Sequence, residues 1–182
     1  MAKKEKKPFS LKKEVMEWME TLVWATVAVI LVFTFVARTA VVSGSSMLPT
    51  YHDADRMLIS DMAYSPKQGD IVVFAEKNGE KENLIKRVIA TEGQTVDINF
   101  ETGDVTVDGV VLDEPYIYEQ TEEEGNMEFP ATVPEGHVFV LGDNRNNSRD
   151  SRFTSIGMVD ERLILGRAWW QIFPLDKLGF IG

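Results

Sequence analysis

An uncharged apolar run near the N-terminus is the feature that most constrains this chain. Residues Thr21 to Ala37 read TLVWATVAVILVFTFVA, seventeen positions without an Asp, Glu, Lys or Arg. A membrane-spanning helix needs about 20 apolar residues and tolerates roughly 17–25, and Thr39 to Val42 can add a turn beyond Arg38, whose side chain can extend to the interface. Six lysines precede the run within the first 14 residues. The sequence therefore predicts a single-pass helix in the cell membrane, with the N-terminus in the cytoplasm and the remainder outside.

Two other interpretations of this run fit less well. A cleavable signal peptide has an apolar region of about 7–15 residues and ends at a small-x-small site. Cleavage after Ala40 would place Arg38 where a small residue is wanted. A buried core helix is disfavoured because the run is apolar on every face and follows a lysine cluster. We therefore expect a retained transmembrane anchor at residues 19–42, after a cytoplasmic basic tail at residues 1–18.

The charge of the chain is negative and unevenly distributed. The 182 residues carry a formal charge of −10, but the first 14 contain six lysines and two glutamates, so they carry +4 and the rest −14. Nucleic acid is not an expected partner, because phosphate binding needs a basic face. No cysteine is present, which rules out a disulfide framework and a cysteine-based zinc site.

Beyond the apolar run, short segments of β-type sequence predominate. They are rich in Val, Ile and Phe, are separated by Gly, Pro, Asp or Asn, and lie at 56–60, 70–76, 83–91, 95–100, 104–109, 109–113 and 136–142. The dipeptide Asp108-Gly109 suits the type I′ turn of a hairpin. The pattern predicts an all-β fold, a barrel-like or sandwich-like domain of antiparallel sheets at residues 43–182, outside the membrane.

Three serines follow the apolar run in the stretch VVSGSSMLPT, at Ser43, Ser45 and Ser46. Ser46 lies nine residues beyond Ala37, so even an extended chain keeps it within about 30 Å of the membrane. A serine hydroxyl is a poor nucleophile and needs a positioned base, usually His or Lys. The bases available elsewhere in the chain therefore decide whether one of these serines can react.

Histidine and lysine both provide candidate bases. A Ser-His-Asp triad with His52 or His137 remains open, since triads are recognised by geometry and not by order, although both sequence contexts favour structural or exposed residues. Lys86 is the other candidate, because strand alternation puts it on one face with Leu84 and Val88. Burial there would lower the pKa of the amine, whereas an ammonium that extends to solvent would remain an ordinary strand lysine. The pattern alone leaves both interpretations of Lys86 open.

The stretch LGDNRNNSRDSR, residues 141–152, alternates acids, amides and arginines. It predicts a loop held by ion pairs and side-chain-to-backbone hydrogen bonds, which could support a site. It does not fit a calcium loop, because Arg145 stands where an oxygen ligand is needed and Ser148 where glycine is expected. The Glu-rich segment 118–130 predicts a solvated loop. No metal site is predicted.

Taken in order after one N-terminal anchor, three of these stretches resemble bacterial type I signal peptidases. They are SGSSMLPT, LIKRVIATEGQTVDI and LGDNRNNSRDSR, and the closing GRAWWQIFPLDKLGFIG resembles the C-terminal segment of that family. The single anchor and short length are most similar to the enzymes of Gram-positive bacteria. The resemblance implies a serine endopeptidase that removes N-terminal signal peptides from exported preproteins, cutting after a small-x-small site without metal or cofactor.

The resemblance also implies catalytic roles. Ser46 matches the nucleophile, and Lys86 matches the general base that takes the serine proton and later gives it to the leaving amine. The backbone N–H of Ser46 matches a donor of the oxyanion hole, the group of donors that stabilises the tetrahedral intermediate. Some relatives have a serine hydroxyl two residues earlier as a second donor. This chain has Gly44 there, which has no side chain, so a backbone or water donor must substitute.

Further residues match supporting positions of the family. Ser148, Asp150 and Arg152 match residues that brace the surroundings of the catalytic lysine, Asp143 and Arg145 match structural residues of the same loop, and Arg87 directly follows the lysine. Asn146 stands where an aspartate is common in relatives, which removes any ion pair there. Met47, Leu48 and Pro49 resemble an apolar rim that seats the substrate and faces the membrane, with Pro49 limiting the backbone near Ser46.

The partners implied are secretory preproteins, the lipid bilayer and the secretion translocon. Two alternatives remain beside a general signal peptidase. One keeps the Ser-Lys chemistry but acts on one or a few dedicated substrates. The other is a non-enzymatic, anchored β-domain that binds envelope partners through its acidic surface, in which case Ser46 and Lys86 would be dispensable.

Overall fold

The structure, a computed structural model, describes residues 11–35, 38–62, 64–76 and 83–181, without the side chains of 32–35. Residues 1–10 of the predicted basic tail and positions 36–37 of the predicted apolar run lie outside the described residues. The chain divides into two units between residues 37 and 38. The first contains one helix and the second is built of antiparallel strands. The prediction of an antiparallel β domain preceded by one helix is confirmed.

The helix α1 (Leu11–Phe35) begins ten residues before the uncharged run. Its sequence contains neither proline nor glycine, the two residues that most disfavour a helix interior. The first turns are charged, and Lys13 and Glu17 form an i,i+4 pair at 3.9 Å. Further along, the side chains of Leu22 and Trp24 are 67% and 66% exposed. Within the described residues, no helix combines the length and the apolar character needed to cross a membrane.

The second unit contains twelve strands among the described residues. They are β1 (Arg38–Val41), β2 (Arg56–Ser60), β3 (Ile71–Ala75), β4 (Asn83–Thr91), β5 (Thr95–Asn99), β6 (Asp104–Val107), β7 (Val110–Val111), β8 (Ala131–Thr132), β9 (His137–Leu141), β10 (Val159–Asp160), β11 (Ile164–Phe173) and β12 (Gly179–Phe180). Short 3₁₀ helices lie at Arg145–Asn147, Glu161–Leu163 and Leu175–Lys177. All seven predicted segments contain a strand.

The strands form two antiparallel sheets. The larger has the order β1-β2-β11-β3-β4-β9-β10, with β12 paired to β11, and the smaller has the order β7-β6-β5-β8. The long strand β11 lies between β2 and β3, so it joins the N-terminal strands to β3 and β4. The sequence analysis did not identify β11 as a strand, and its pairing is irregular: the register shifts at two points against β2 and at one against β3.

The β unit begins earlier than predicted. Residues 38–41 do not add a helical turn to an anchor that ends at 42; they form β1, which pairs with β2 from Arg38↔Ile59 to Val41↔Arg56. The next residue, Val42, is buried in the core, and its N–H donates to the carbonyl of Asp55. Pairing with β2 and core burial of Val42 explain why this segment is extended.

The predicted hairpin at Asp108-Gly109 is present between β6 and β7. Both residues have positive φ angles, 52° and 79°, as a type I′ turn requires. The Asp108 carboxylate accepts the N–H of Thr95 at 2.8 Å. This contact attaches the turn to β5 and so stabilises the smaller sheet.

A hydrophobic cluster connects the segment after β1 to the centre of the larger sheet. Met47 lies in this cluster with Met57 of β2, Ile71 of β3 and Ile85 of β4, all of them buried. Two further clusters lie around β5, β6 and β9 and around β3, β4 and β9. Residues 46 and 86, the neighbours of Met47 and Ile85 in the chain, are therefore brought together by core packing.

Candidate active site

Ser46 and Lys86 are in direct contact, although 40 residues separate them in the chain. Ser46 lies in the turn that follows β1, and Lys86 lies near the middle of β4. The distance between Lys86 Nζ and Ser46 Oγ is 2.7 Å, and Nζ also donates to the carbonyl of Ile85 at 3.0 Å. An ammonium donates to the serine hydroxyl, whereas a neutral amine can accept the hydroxyl proton. The pair has the geometry that a nucleophile and its base require.

The Lys86 side chain is almost completely buried, with 2% of the residue exposed. Burial lowers its pKa from 10.5 to about 8, because the charged ammonium loses its hydration. The carboxylates of Asp150 and Asp143 oppose this lowering of the pKa, and the guanidinium groups of Arg149 and Arg152 add to it. Of the two interpretations of Lys86 left open by the sequence, the structure has the buried one.

The apolar residues after Ser46 differ from the expected rim. Met47 is 1% exposed and belongs to the core. Leu48 is half-buried and Pro49 is exposed, so only these two residues reach the surface beside Ser46. The reason is that Met47 packs toward β2, β3 and β4 and thereby fixes the turn. Its position makes Met47 a structural support of the serine.

Gly44, two residues before Ser46, has a φ angle of +87°, in the region that favours glycine. Its N–H donates to Asp53 Oδ1 at 2.8 Å. A Cβ at this position would meet nothing within 4 Å, so open space lies beside the turn. Because glycine has no side chain, residue 44 cannot supply a side-chain donor to the oxyanion.

Asp150 and Arg152, both in the predicted loop, form an ion pair whose two side chains are fully buried. The carboxylate of Asp150 also accepts the N–H of Gly142 at 3.0 Å. The remaining Arg152 N–H groups donate to the carbonyls of Arg145 and Glu123. These contacts hold both ends of the segment 142–152 against each other, next to Lys86.

Arg145 pairs with a residue that lies outside the motif. Its guanidinium donates to Glu114 at 2.8 and 2.6 Å, to the hydroxyl of Thr121 at 3.0 Å and to the carbonyl of Gly142 at 3.1 Å. Arg145 has no exposed surface, and the side chain of Glu114 is 6% exposed. The interaction attaches the loop to the segment after β7.

Arg87, the residue after Lys86, pairs with Asp143. Two parallel hydrogen bonds of 2.8 and 2.7 Å join their side chains. The guanidinium lies 3.8 Å from the ring centroid of Tyr116, a cation–π contact. Asp143 also accepts the hydroxyl proton of Thr50, so one carboxylate connects β4 to the turn that follows Ser46.

Ser148 and Asn146, two further residues of the loop, differ in the hydrogen bonds of their side chains. The Ser148 hydroxyl is buried and has no hydrogen-bond partner among the described residues; it approaches Gly142, where a Cβ would come within 2.2 Å of it. The side chain of Asn146, where relatives commonly have an aspartate, accepts the N–H groups of Glu122 and Glu123 and donates to the carbonyl of Gln120.

Neither histidine is hydrogen-bonded to Ser46 in the described part of the chain. His52 is exposed and lies 3.0 Å from Lys177 Nζ. His137 lies at the start of β9 with its Nδ1 near the carbonyl of Glu135. The same part of the chain contains no group of three or more His, Cys, Asp or Glu side chains arranged to hold a metal ion. The described contacts favour Lys86 over either histidine as the base.

Sequence reasoning did not single out several residues that contact the site. Asn144 contacts both Ser45 and Ser46, and Asn147 donates to Ser45 Oγ at 2.9 Å. Both residues lie inside the 141–152 motif, so the sequence indicated that they could be near the site. It did not indicate that Ser45 and Ser46 are their hydrogen-bond partners. Glu114 has no local signal at all, because its role depends on Arg145, which lies 31 positions away.

An open cleft lies between β1 and β4, the strands that precede Ser46 and contain Lys86. It has a volume of about 280 Å³ and is lined by Arg38, Thr39, Ala40, Val41, Ile59, Val73, Asn83, Ile85 and Leu165. A separate apolar cavity of about 350 Å³ is lined by Phe74, Ala75, Glu76, His137, Ile156, Met158, Val159, Asp160, Arg162 and Leu163. Among the residues considered for catalysis, its lining includes only His137. The smaller cleft is lined by Ile85, the chain neighbour of Lys86, and by all four residues of β1.

A serine hydroxyl held against a buried amine on an antiparallel β domain defines a serine-hydrolase type of site. The chain belongs to the signal peptidase family, peptidase S26, whose profile matches residues 15–173. It is 32% identical to signal peptidase I of Bacillus licheniformis over 96% of this chain and 97% of that one. It is 36% identical to signal peptidase I of Leptolyngbya laminosa, over 92% and 84%. A crystal structure of a signal peptidase I from Enterococcus faecalis V583 aligns at 31% identity over 57% of this chain and 97% of that chain, with a TM-score of 0.46.

Proposed function

We propose that this chain is a membrane-anchored endopeptidase that removes N-terminal signal peptides from exported preproteins, with Ser46 as nucleophile and Lys86 as general base. The observation that carries the proposal is the 2.7 Å contact between Ser46 Oγ and a buried lysine amine. Family membership supports the reaction, since relatives named signal peptidase I match most of the chain. No metal or cofactor takes part in the proposed mechanism.

The proposed reaction has two stages. Neutral Lys86 accepts the Ser46 proton as Oγ attacks the scissile carbonyl, and the Ser46 N–H donates to the developing oxyanion. The ammonium then protonates the leaving amine, which departs as the new N-terminus of the mature protein. In the second stage Lys86 activates a water molecule that attacks the acyl-enzyme and releases the signal peptide. Each stage needs the neutral amine at its start, so the lowered pKa of Lys86 serves both.

The substrate fits as an extended peptide in the 280 Å³ cleft. β1 lies at the end of the larger sheet, and among the described residues β4 pairs with β9 only from Arg87 onward. Two strand edges near Ser46 and Lys86 are thus available to a peptide backbone. The cleft between them is small, which suits small side chains at the first and third positions before the cut. Discrimination by pocket size is modest, about 1–3 kcal/mol per methylene, so location at the membrane has to contribute to selectivity.

The anchor is proposed within residues 19–37, after a cytoplasmic tail at residues 1–18, with the β unit outside the membrane. The lysine-rich start, the uncharged run and the exposed Leu22 and Trp24 on α1 support this arrangement. The chain has no cysteine, so single-cysteine variants test it directly. We expect a membrane-impermeant maleimide added to intact cells to label Lys67→Cys and not Ala2→Cys; the reverse pattern would contradict the topology.

Cleavage of a preprotein in liposomes tests the catalytic proposal. Wild type, Ser46→Ala and Lys86→Ala are compared with Ser43→Ala and Lys67→Ala, two exposed residues of the same types. We expect cutting after a small-x-small site, lost in the first two variants and kept in the controls. Normal cutting by Lys86→Ala would make His52 or His137 the base to examine. A panel of preproteins separates a general enzyme from one with few substrates. Full biological function in both Ser46→Ala and Lys86→Ala would favour the non-enzymatic binding domain.

A further inference from the structure

We infer that Asn144 is a positioning residue that aims and polarises the Ser46 N–H toward the oxyanion. The inference rests on the proposed function, because it assigns a support to the donor used there. It comes from the way one buried asparagine contacts the two peptide groups that flank the reactive serine.

The first contact involves the peptide group between Ser45 and Ser46. The carbonyl of Ser45 and the N–H of Ser46 belong to this one planar unit, which is trans. Asn144 Nδ2 donates to the Ser45 carbonyl at 3.0 Å, and the N–H of Leu48 donates to it at 3.1 Å. In a trans peptide the C=O and N–H point in opposite directions, so fixing the carbonyl direction also fixes the direction of the Ser46 N–H.

The second contact involves the following peptide group. The backbone N–H of Asn144 donates to the carbonyl of Ser46 at 3.0 Å. A single residue therefore restrains the peptide planes on both sides of Ser46. Among the described residues the Ser46 N–H itself donates no hydrogen bond, so it remains available to a substrate.

Burial strengthens the effect of the first contact. Asn144 is 5% exposed, and hydrogen bonds in such surroundings polarise one another more than in water. Donation to the Ser45 carbonyl withdraws electron density through the amide and makes the Ser46 N–H a stronger donor. This matters in a chain with Gly44 at the position of a second donor, because the oxyanion then depends more heavily on the backbone N–H.

The test compares Asn144→Leu, which keeps the approximate size of the side chain but has no donor, with Asn146→Leu. Asn146 belongs to the same loop but contacts the segment 120–123 and not the serine turn. Readouts are kcat and KM on a peptide with a small-x-small site, affinity for a peptide boronate that forms a tetrahedral adduct, affinity for the uncleaved product peptide, and the melting temperature.

Removing one oxyanion donor typically costs about 10²–10³ in kcat, and a donor that is misaligned but present should cost less. We expect Asn144→Leu to lower kcat by about 10- to 100-fold and boronate affinity by a similar factor, with KM and product affinity within about threefold. Asn146→Leu should change kcat by less than about threefold. A purely structural role would instead weaken boronate and product binding together.

The inference is overturned if Asn144→Leu keeps a normal kcat, or if both affinities fall in parallel. If this variant does not fold, Asn144→Asp carries the same comparison, since it keeps the size and polarity but replaces the donor by an acceptor. Failure of both variants to fold would assign Asn144 to folding and also overturn the inference. Ser46→Ala, assayed alongside, separates these outcomes from failure of the proposed function: a fully active Ser46→Ala would refute that function itself.

Discussion

The side chains of Asp150 and Arg152, two residues apart, are joined by two hydrogen bonds of 2.8 and 2.9 Å, and both are fully excluded from solvent. A buried ion pair contributes little net stability compared with apolar residues of the same volume, but breaking one leaves an uncompensated charge. In this chain the pair also affects the proposed general base, because both residues act electrostatically on the pKa of Lys86.

Removal of Arg152 should therefore be strongly destabilising. We expect Arg152→Met to lower the free energy of unfolding by about 3–5 kcal/mol, because the Asp150 carboxylate stays buried without its partner. The double variant Asp150→Asn, Arg152→Met should recover part of this loss. Urea unfolding followed by circular dichroism measures both. The exposed pair Asp160–Arg162 supplies the control, since Arg162→Met should change stability little; equal effects at the two sites would contradict the argument.

Activity should depend on the protonation of Lys86. Its pKa of about 8 means that the neutral base predominates above pH 8 and that its fraction falls about tenfold for each pH unit below. We expect kcat/KM on a peptide substrate to rise from pH 6 and to level off above about pH 8. An acid limb near pH 10 would show an unperturbed lysine, and one near pH 6.5 would indicate a histidine as base.

The same burial should make the wild type less stable than a variant without the amine. The folded state disfavours the Lys86 ammonium, whose pKa falls from 10.5 to about 8, a difference equivalent to about 3 kcal/mol. This destabilisation is fully present below pH 8 and disappears as pH rises toward 10.5, where the unfolded chain also loses the proton. We expect Lys86→Met to be inactive but more stable at pH 7 by about 1–3 kcal/mol, since it also loses the contacts with Ser46 and Ile85.

Unfolding at several pH values tests this expectation. The stability difference between Lys86→Met and wild type should be constant from pH 6 to about 8 and should shrink between pH 8 and 10. A difference that does not vary with pH would mean that packing, and not charge, separates the two proteins.

The close approach of Gly125 to Arg152 provides a separate test of the loop. A Cβ on Gly125 would lie 2.5 Å from the carbonyl oxygen of Arg152, whereas a Cβ on Gly93 would meet nothing within 4 Å. Both glycines have positive φ angles, 71° and 78°, so alanine at either position has a similar backbone cost of about 1–2 kcal/mol. Only Gly125→Ala must also displace the backbone of Arg152.

We therefore expect Gly125→Ala to lower the melting temperature clearly more than Gly93→Ala does, and to reduce kcat as well. Thermal unfolding and a peptide cleavage assay measure the two effects. Similar melting temperatures for the two variants would mean that the segment around Gly125 can move away from Arg152 at little cost.

Local sequence was sufficient to predict those strands whose hydrophobic pattern is regular. The strands at 56–60 and 83–91 have the predicted bounds because they are rich in Val, Ile and Leu and end at polar residues or turns. The sequence analysis did not recognise residues 164–173 as the strand β11. Its irregular register depends on pairing with β2 and β3, which its own residues do not reveal. β1 was assigned to the anchor, since its pairing with β2 is a tertiary contact.

Site residues could be predicted from the sequence only where they belong to a recognisable motif. Alternation along β4 left open whether Lys86 is buried, because burial depends on tertiary contacts such as that of Lys86 with Ser46. The contacts of Asn144 with the Ser46 turn and of Arg145 with Glu114 join segments that are far apart in the chain. No local periodicity encodes such partners, so they became visible only in the folded structure.

The position of β11 has a consequence for the timing of synthesis. Ser46 follows β1 and Lys86 belongs to β4, and the strand between β2 and β3 comes from residues 164–173. A ribosome has therefore made nearly the whole chain before the two halves of the sheet can close around the reactive pair. A nascent or truncated polypeptide that ends before β11 contains the serine and the lysine but lacks the strand that joins the two halves of the sheet carrying them.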